Sequence, residues 1–154
     1  MSRIPGDLEI SWRGTEPLFL EVKCPRWEGE LEENERQSGR KEQHKYLNAE
    51  VRSMGPVERV VYVVRKALPK FDTANVNLVV VVDDLFLSPL DIPNNVVAAR
   101  LANAMTEDEC YSAVSGVFML NPVVCGDEVE YRALLVLGPG KSLSDGVKDV
   151  LACR

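Results

Sequence analysis

Hydrophobic and polar residues alternate over residues 7–12 and again over 18–23. A strand turns successive side chains to opposite faces. Leu8, Ile10 and Trp12 therefore share one face of the first segment, and Asp7, Glu9 and Ser11 the other. In the second segment Leu18, Leu20 and Val22 oppose Phe19, Glu21 and Lys23. Between them Arg13-Gly14-Thr15-Glu16-Pro17 has turn chemistry, with Gly14 suited to a positive φ. The two strands are expected to pair as a hairpin.

The period then changes. Val57, Val60, Val61, Val64 and Leu68 recur at helical spacing between Pro56, a good first-turn residue, and Pro69. Residues 74–86 hold an unbroken apolar run, the pattern of a central parallel strand covered on both faces. A helix is expected from Asn94 or Asn95, either of which could cap it, to about Met105. Residues 113–121 and 130–137 read as strands of an antiparallel hairpin around Gly126-Asp127, and residues 144–153 as a short helix. The sum is a single α/β domain over residues 1–154, a mixed sheet flanked by helices.

The polar stretch 27–54 stands apart. In its second half Leu47, Val51 and Met54 share a helical face. Traced backwards, that stripe meets Gln43 or His44, then Arg40, then Arg36 or Gln37. The covered face thus turns basic and polar towards one end. Arg36, Arg40 and Gln43 become candidates for holding a nucleic-acid backbone, although a solvated helix of mixed charge gives the same pattern.

Composition narrows the options. The 154 residues are 45% hydrophobic and 27% charged, enough for one real core. A net charge of −6 and a pI near 4.9 argue against a polycation that coats nucleic acid, while leaving room for a local basic strip. Cys24, Cys110, Cys125 and Cys153 lie far apart with no C-x-x-C, which argues against a zinc site or a disulfide framework and points to a reducing cytoplasm. With one histidine, His44, a Ser–His mechanism has little to rest on. No apolar run is long enough to span a bilayer. Leu137-Gly138-Pro139-Gly140-Lys141-Ser142 fails as a Walker-type phosphate loop, because Leu135 stands where that loop needs glycine.

The candidate chemistry lies in the first hairpin. If its strands pair, Asp7 and Glu21 share a polar face with Lys23 beside them, and the two carboxylates are expected within about 6 Å, near enough to share one ion. Such oxygen ligands suit Mg²⁺ or Mn²⁺, which can activate a water and offset charge on a phosphate. A solvent-facing hairpin would carry the same residues as its wet side.

Asp7 and, fourteen positions on, Glu21-Val22-Lys23 resemble the D…(D/E)-x-K pattern of the PD-(D/E)XK nuclease superfamily, and Ile4-Pro5-Gly6-Asp7 looks like its loose P-D half. The resemblance implies a restriction-endonuclease-like fold and Mg²⁺-dependent cleavage of phosphodiester bonds, in DNA ahead of RNA. It makes Asp7 and Glu21 metal ligands, adds the Val22 carbonyl, and has Lys23 place the attacking water. The rival is a catalytically inactive module of the same fold that binds nucleic acid or a protein partner. Six residues precede Asp7, where the family carries a helix and a strand. The sheet edge this would bare is expected to be covered in a homo-oligomer.

Overall fold

In the computed structural model the described residues are 8–10, 16–24, 55–83 and 88–152. Strands β1 (Leu8–Ile10) and β2 (Leu18–Lys23) form the expected antiparallel hairpin, with Glu9 opposite Phe19. Glu9 therefore faces the same side as Glu21 and Lys23. Beyond β2, the sheet continues through β3 (Val76–Val82), β4 (Gly116–Cys125) and β5 (Glu128–Leu137), in the order β1-β2-β3-β4-β5. Strands β2, β3 and β4 run parallel, and both outer strands are antiparallel to their neighbours. The run of valines in β3 is central and parallel on both sides, which is why it needs apolar residues on both faces. Residues 84–87, expected to prolong that strand, lie outside the described residues.

Helix α1 (Pro56–Ala67) begins at its proline and passes into a 3-10 turn at Leu68–Lys70, where Pro69 ends the α-helical ladder. Helix α2 (Asn94–Glu107) corrects one expectation: its cap is Pro93, and Asn94 and Asn95 lie inside its first turn. The side-chain cap is used one turn earlier. Ser88 and Asp91 form a capping box around the 3-10 turn Pro89–Asp91, and the chain then reaches Pro93 already extended. The β4–β5 hairpin turns through Gly126-Asp127, with Gly126 at φ 66°, and both strands run further towards that turn than the sequence reading placed them. Helix α3 (Asp145–Leu151) starts at Ser144, whose hydroxyl accepts from the Val147 N–H.

A strand–helix–strand crossover is right-handed almost without exception. Two that step the same way across a sheet put both helices on one face. Here α1 and α2 cover the same side, where Val57, Val60, Val64, Val97, Leu101 and Met105 pack on Val79, Val81, Val117 and Met119. The opposite face carries a smaller cluster of Val76, Leu78, Phe118 and Leu143, backed by Val147 and Leu151 from α3. The Gly-Pro-Gly stretch after β5 serves packing. A Cβ on Gly138 would run into the Val114 carbonyl, and the Gly140 N–H donates to that oxygen at 2.7 Å.

Candidate active site

Glu21 lies on the face that α1 and α2 cover, in register with Val79. It is 0% exposed, so the alternative of a solvent-facing hairpin does not hold at Glu21, whose carboxylate lies under the helices, while Lys23 on the same face is 24% exposed. A carboxylate withdrawn from water costs several kcal/mol unless it is paired. Two ammonium groups meet that need at a single oxygen. Lys23 Nζ stands 2.7 Å from Glu21 Oε1, and Lys70 Nζ, from the turn that ends α1, donates to the same atom at 2.5 Å. The other oxygen, Oε2, is buried with no hydrogen-bond partner among the described residues. An orphaned buried acceptor costs roughly 1–3 kcal/mol.

Both lysines keep part of their length in water, with side chains 24% and 32% exposed. The carboxylate is thus closed off, with two part-exposed lysine side chains reaching it.

Oε2 is an oxygen lone pair in want of a donor or a cation, so Glu21 fits the part of a hard-metal ligand while the lysines hold its other oxygen. A divalent ion needs more oxygens than this one. Among the described residues no group of three or more His, Cys, Asp or Glu could hold a metal. Asp7, the second expected carboxylate, lies outside the described residues, as do Arg36, Arg40 and Gln43. Val22 sits between Glu21 and Lys23, opposite Val80, with its side chain exposed on the far face.

Lys70 is the residue that sequence reasoning missed. It stands 49 positions from Glu21, and nothing in the spacing joins the two. A lysine just past a helix that ends at proline looks like any solvated helix end.

Two further polar clusters link elements of the fold. At the end of β3, Asp83 is buried and its carbonyl accepts from the Asn121 amide. Arg132 donates to Asn121 Oδ1 and to the Leu90 carbonyl and pairs with Asp91 at 2.8 Å, which ties the segment before α2 to the sheet. Near the end of α1, Arg65 pairs with Asp108 at 2.7 Å and stands 6.0 Å from the centroid of the buried Tyr111 ring. The Cys110 thiol and backbone N–H, with the Arg65 guanidinium, hold the Asp108 carboxyl below its ordinary range. Desolvation, the hydrogen bond to Asp108 and the Asp108 charge push the Cys110 thiol up, against the lowering effect of Arg65.

No helix among the described residues is long and apolar enough to cross a membrane. No protein-family model, no curated protein and no solved structure is matched by this chain.

Proposed function

We propose that the chain is a divalent-metal-dependent nuclease of the PD-(D/E)XK type, acting in the cytoplasm on DNA ahead of RNA. The observation that carries this reading is the state of Glu21. It is a fully buried carboxylate on the strand of the E-x-K sequence, with one oxygen held by Lys23 and Lys70 and the other unpartnered.

In this reading Glu21 Oε2, the Val22 carbonyl and Asp7 would hold Mg²⁺ or Mn²⁺. The ion when bound supplies a water acidified towards hydroxide and a counter-charge for the phosphate. Lys23 and Lys70 fix the orientation of Glu21 through Oε1. Their side chains are part-exposed, and in this reading Lys23 would hold the attacking water or a phosphate oxygen. Arg36, Arg40 and Gln43 would grip the nucleic-acid backbone further along.

A second reading is favoured by the same geometry. Two lysines stand at one closed-off carboxylate, an arrangement that also suits an inactive module in which the lysines bind the nucleic-acid backbone or a protein partner. Cleavage of labelled single- and double-stranded DNA and RNA with Mg²⁺ or Mn²⁺ separates the two. The nuclease reading expects cutting that is abolished by Glu21→Ala and Lys23→Ala while circular dichroism still reports the folded sheet. Absence of cleavage with either metal on all four substrates overturns it. Retained binding that weakens with salt and with Lys70→Ala would then establish the binding module.

A further inference from the structure

Strand β5 is ten residues long and is an outer strand of the sheet among the described residues. The way it pairs with β4 decides which of its backbone groups face outwards. A two-residue turn makes the flanking residues, Cys125 and Glu128, a hydrogen-bonded pair. At the far end the Gly138 N–H donates to the Ser115 carbonyl at 3.0 Å, which is the same phase. Even-numbered residues of β5 therefore bond inwards to β4. Val129, Tyr131, Ala133, Leu135 and Leu137 turn their N–H and C=O groups away from it.

The side chains of these same residues lie on the face away from α1 and α2. Tyr131 is 68% exposed there and Val124, opposite Val129, is 74% exposed. A groove of about 470 Å³ extends this surface between β5 and α3, lined by Tyr131, Ala133, Leu135, Leu137, Lys148 and Leu151. A long outer strand bordered by apolar side chains is one that proteins usually cover or pair.

The charges select the occupant. If β5 pairs antiparallel with a second β5 across a two-fold axis, the register is set by the residue on that axis. With Glu130 or Arg132 there, like charges meet. With Val129, Glu128 faces Glu130, and with Ala133, Glu130 and Arg132 face Val136 and Leu134. With Tyr131 on the axis, each Glu130 lies opposite an Arg132, and symmetry makes the pair twice. Arg132 is held in place on that face by Asn121, the Leu90 carbonyl and Asp91, so the incoming carboxylate would share a guanidinium that already pairs with Asp91. On the other face Tyr131 meets Tyr131 and Val129 meets Ala133. The partner's Asp127 comes over Leu135 on the side of Lys148. We propose that two copies of this chain join through β5 in this register, doubling the five-stranded sheet.

This pairing is independent of whether the Glu21 site is catalytic. The test is sedimentation of the full chain against concentration, with two variants. Glu130→Lys sets two lysines against two arginines and should raise the dimer dissociation constant about tenfold or more. Tyr131→Pro removes an outward N–H while leaving the bonds to β4, so it should give a monomer with an unchanged circular dichroism spectrum. Should the proline variant fail to fold, Glu130→Lys, a change at an exposed side chain, decides alone. A wild-type chain that stays at 17.1 kDa at every concentration up to its solubility limit overturns the proposal. So does a dimer whose dissociation constant Glu130→Lys leaves unchanged.

Discussion

The two faces of the sheet are made by the same strands and differ in what covers them. One lies beneath two helices of twelve and fourteen residues, and a buried apolar cluster runs beneath them from α1 to Val136 of β5. Among the described residues the other has one seven-residue helix, and Val22, Val124, Val129, Tyr131 and Leu137 are exposed on it. Handedness accounts for the asymmetry. Successive right-handed crossovers in one direction load one side and leave the other to whatever follows in the chain. The polar candidates and the apolar surface end up the opposite way round from a simple inside-out rule. The covered face holds a buried carboxylate, and the open face holds valines and a tyrosine. The carboxylate that keeps no contact with water is paired inside the fold by two lysines, whereas the apolar side chains of the other face keep theirs.

Removing the lysines should break the covered face most severely. In the variant with Lys23→Met and Lys70→Met together, Glu21 would be a buried charge with no counter-charge at either oxygen, a loss of about 3–5 kcal/mol read by chemical denaturation. Each lysine changed alone should cost much less, because the other still holds Oε1. Glu21→Leu should also cost less than the double change, since the stranded ammonium groups are already part-solvated. A double-lysine variant as stable as the wild type would show that Glu21 is neutralised some other way.

A more graded comparison uses two leucines. Leu101→Ala, at a completely buried position on α2, should lose roughly 2–5 kcal/mol. Leu20→Ala, half-buried on the thinly covered face, should lose about half of that or less, because part of its surface is already wet. Equal losses would mean that the far face is covered in solution, and repeating the Leu20 measurement across protein concentration would show whether a second copy covers it.

The smallest effect concerns the rim of the covered face. Because the Asp108 carboxyl is held below its ordinary range, the stability it lends is present above its unfolded value and is lost as the pH falls through its folded value. Asp108→Asn should remove that acid-side slope while changing the melting temperature little at neutral pH, since the pair with Arg65 is solvent-exposed. An acid-side slope that survives the substitution would place its origin in another carboxylate.

The sequence by itself determined the α/β class, the central parallel strand, the two hairpins and the stretches that become α1 and α2. Each of these rests on a local period or on punctuation by proline and glycine, which one segment carries without knowing its neighbours. It also marked Glu21 and Lys23 as belonging to one face of one strand, since strand geometry requires that. It had no means of telling which side of the finished sheet that face would meet. Alternation separates two faces, but only the direction in which later crossovers step decides which face receives the helices. So the tertiary structure alone buried Glu21, brought Lys70 to it across 49 positions, left its Oε2 without a partner among the described residues, and set Tyr131 in the open on an outer strand.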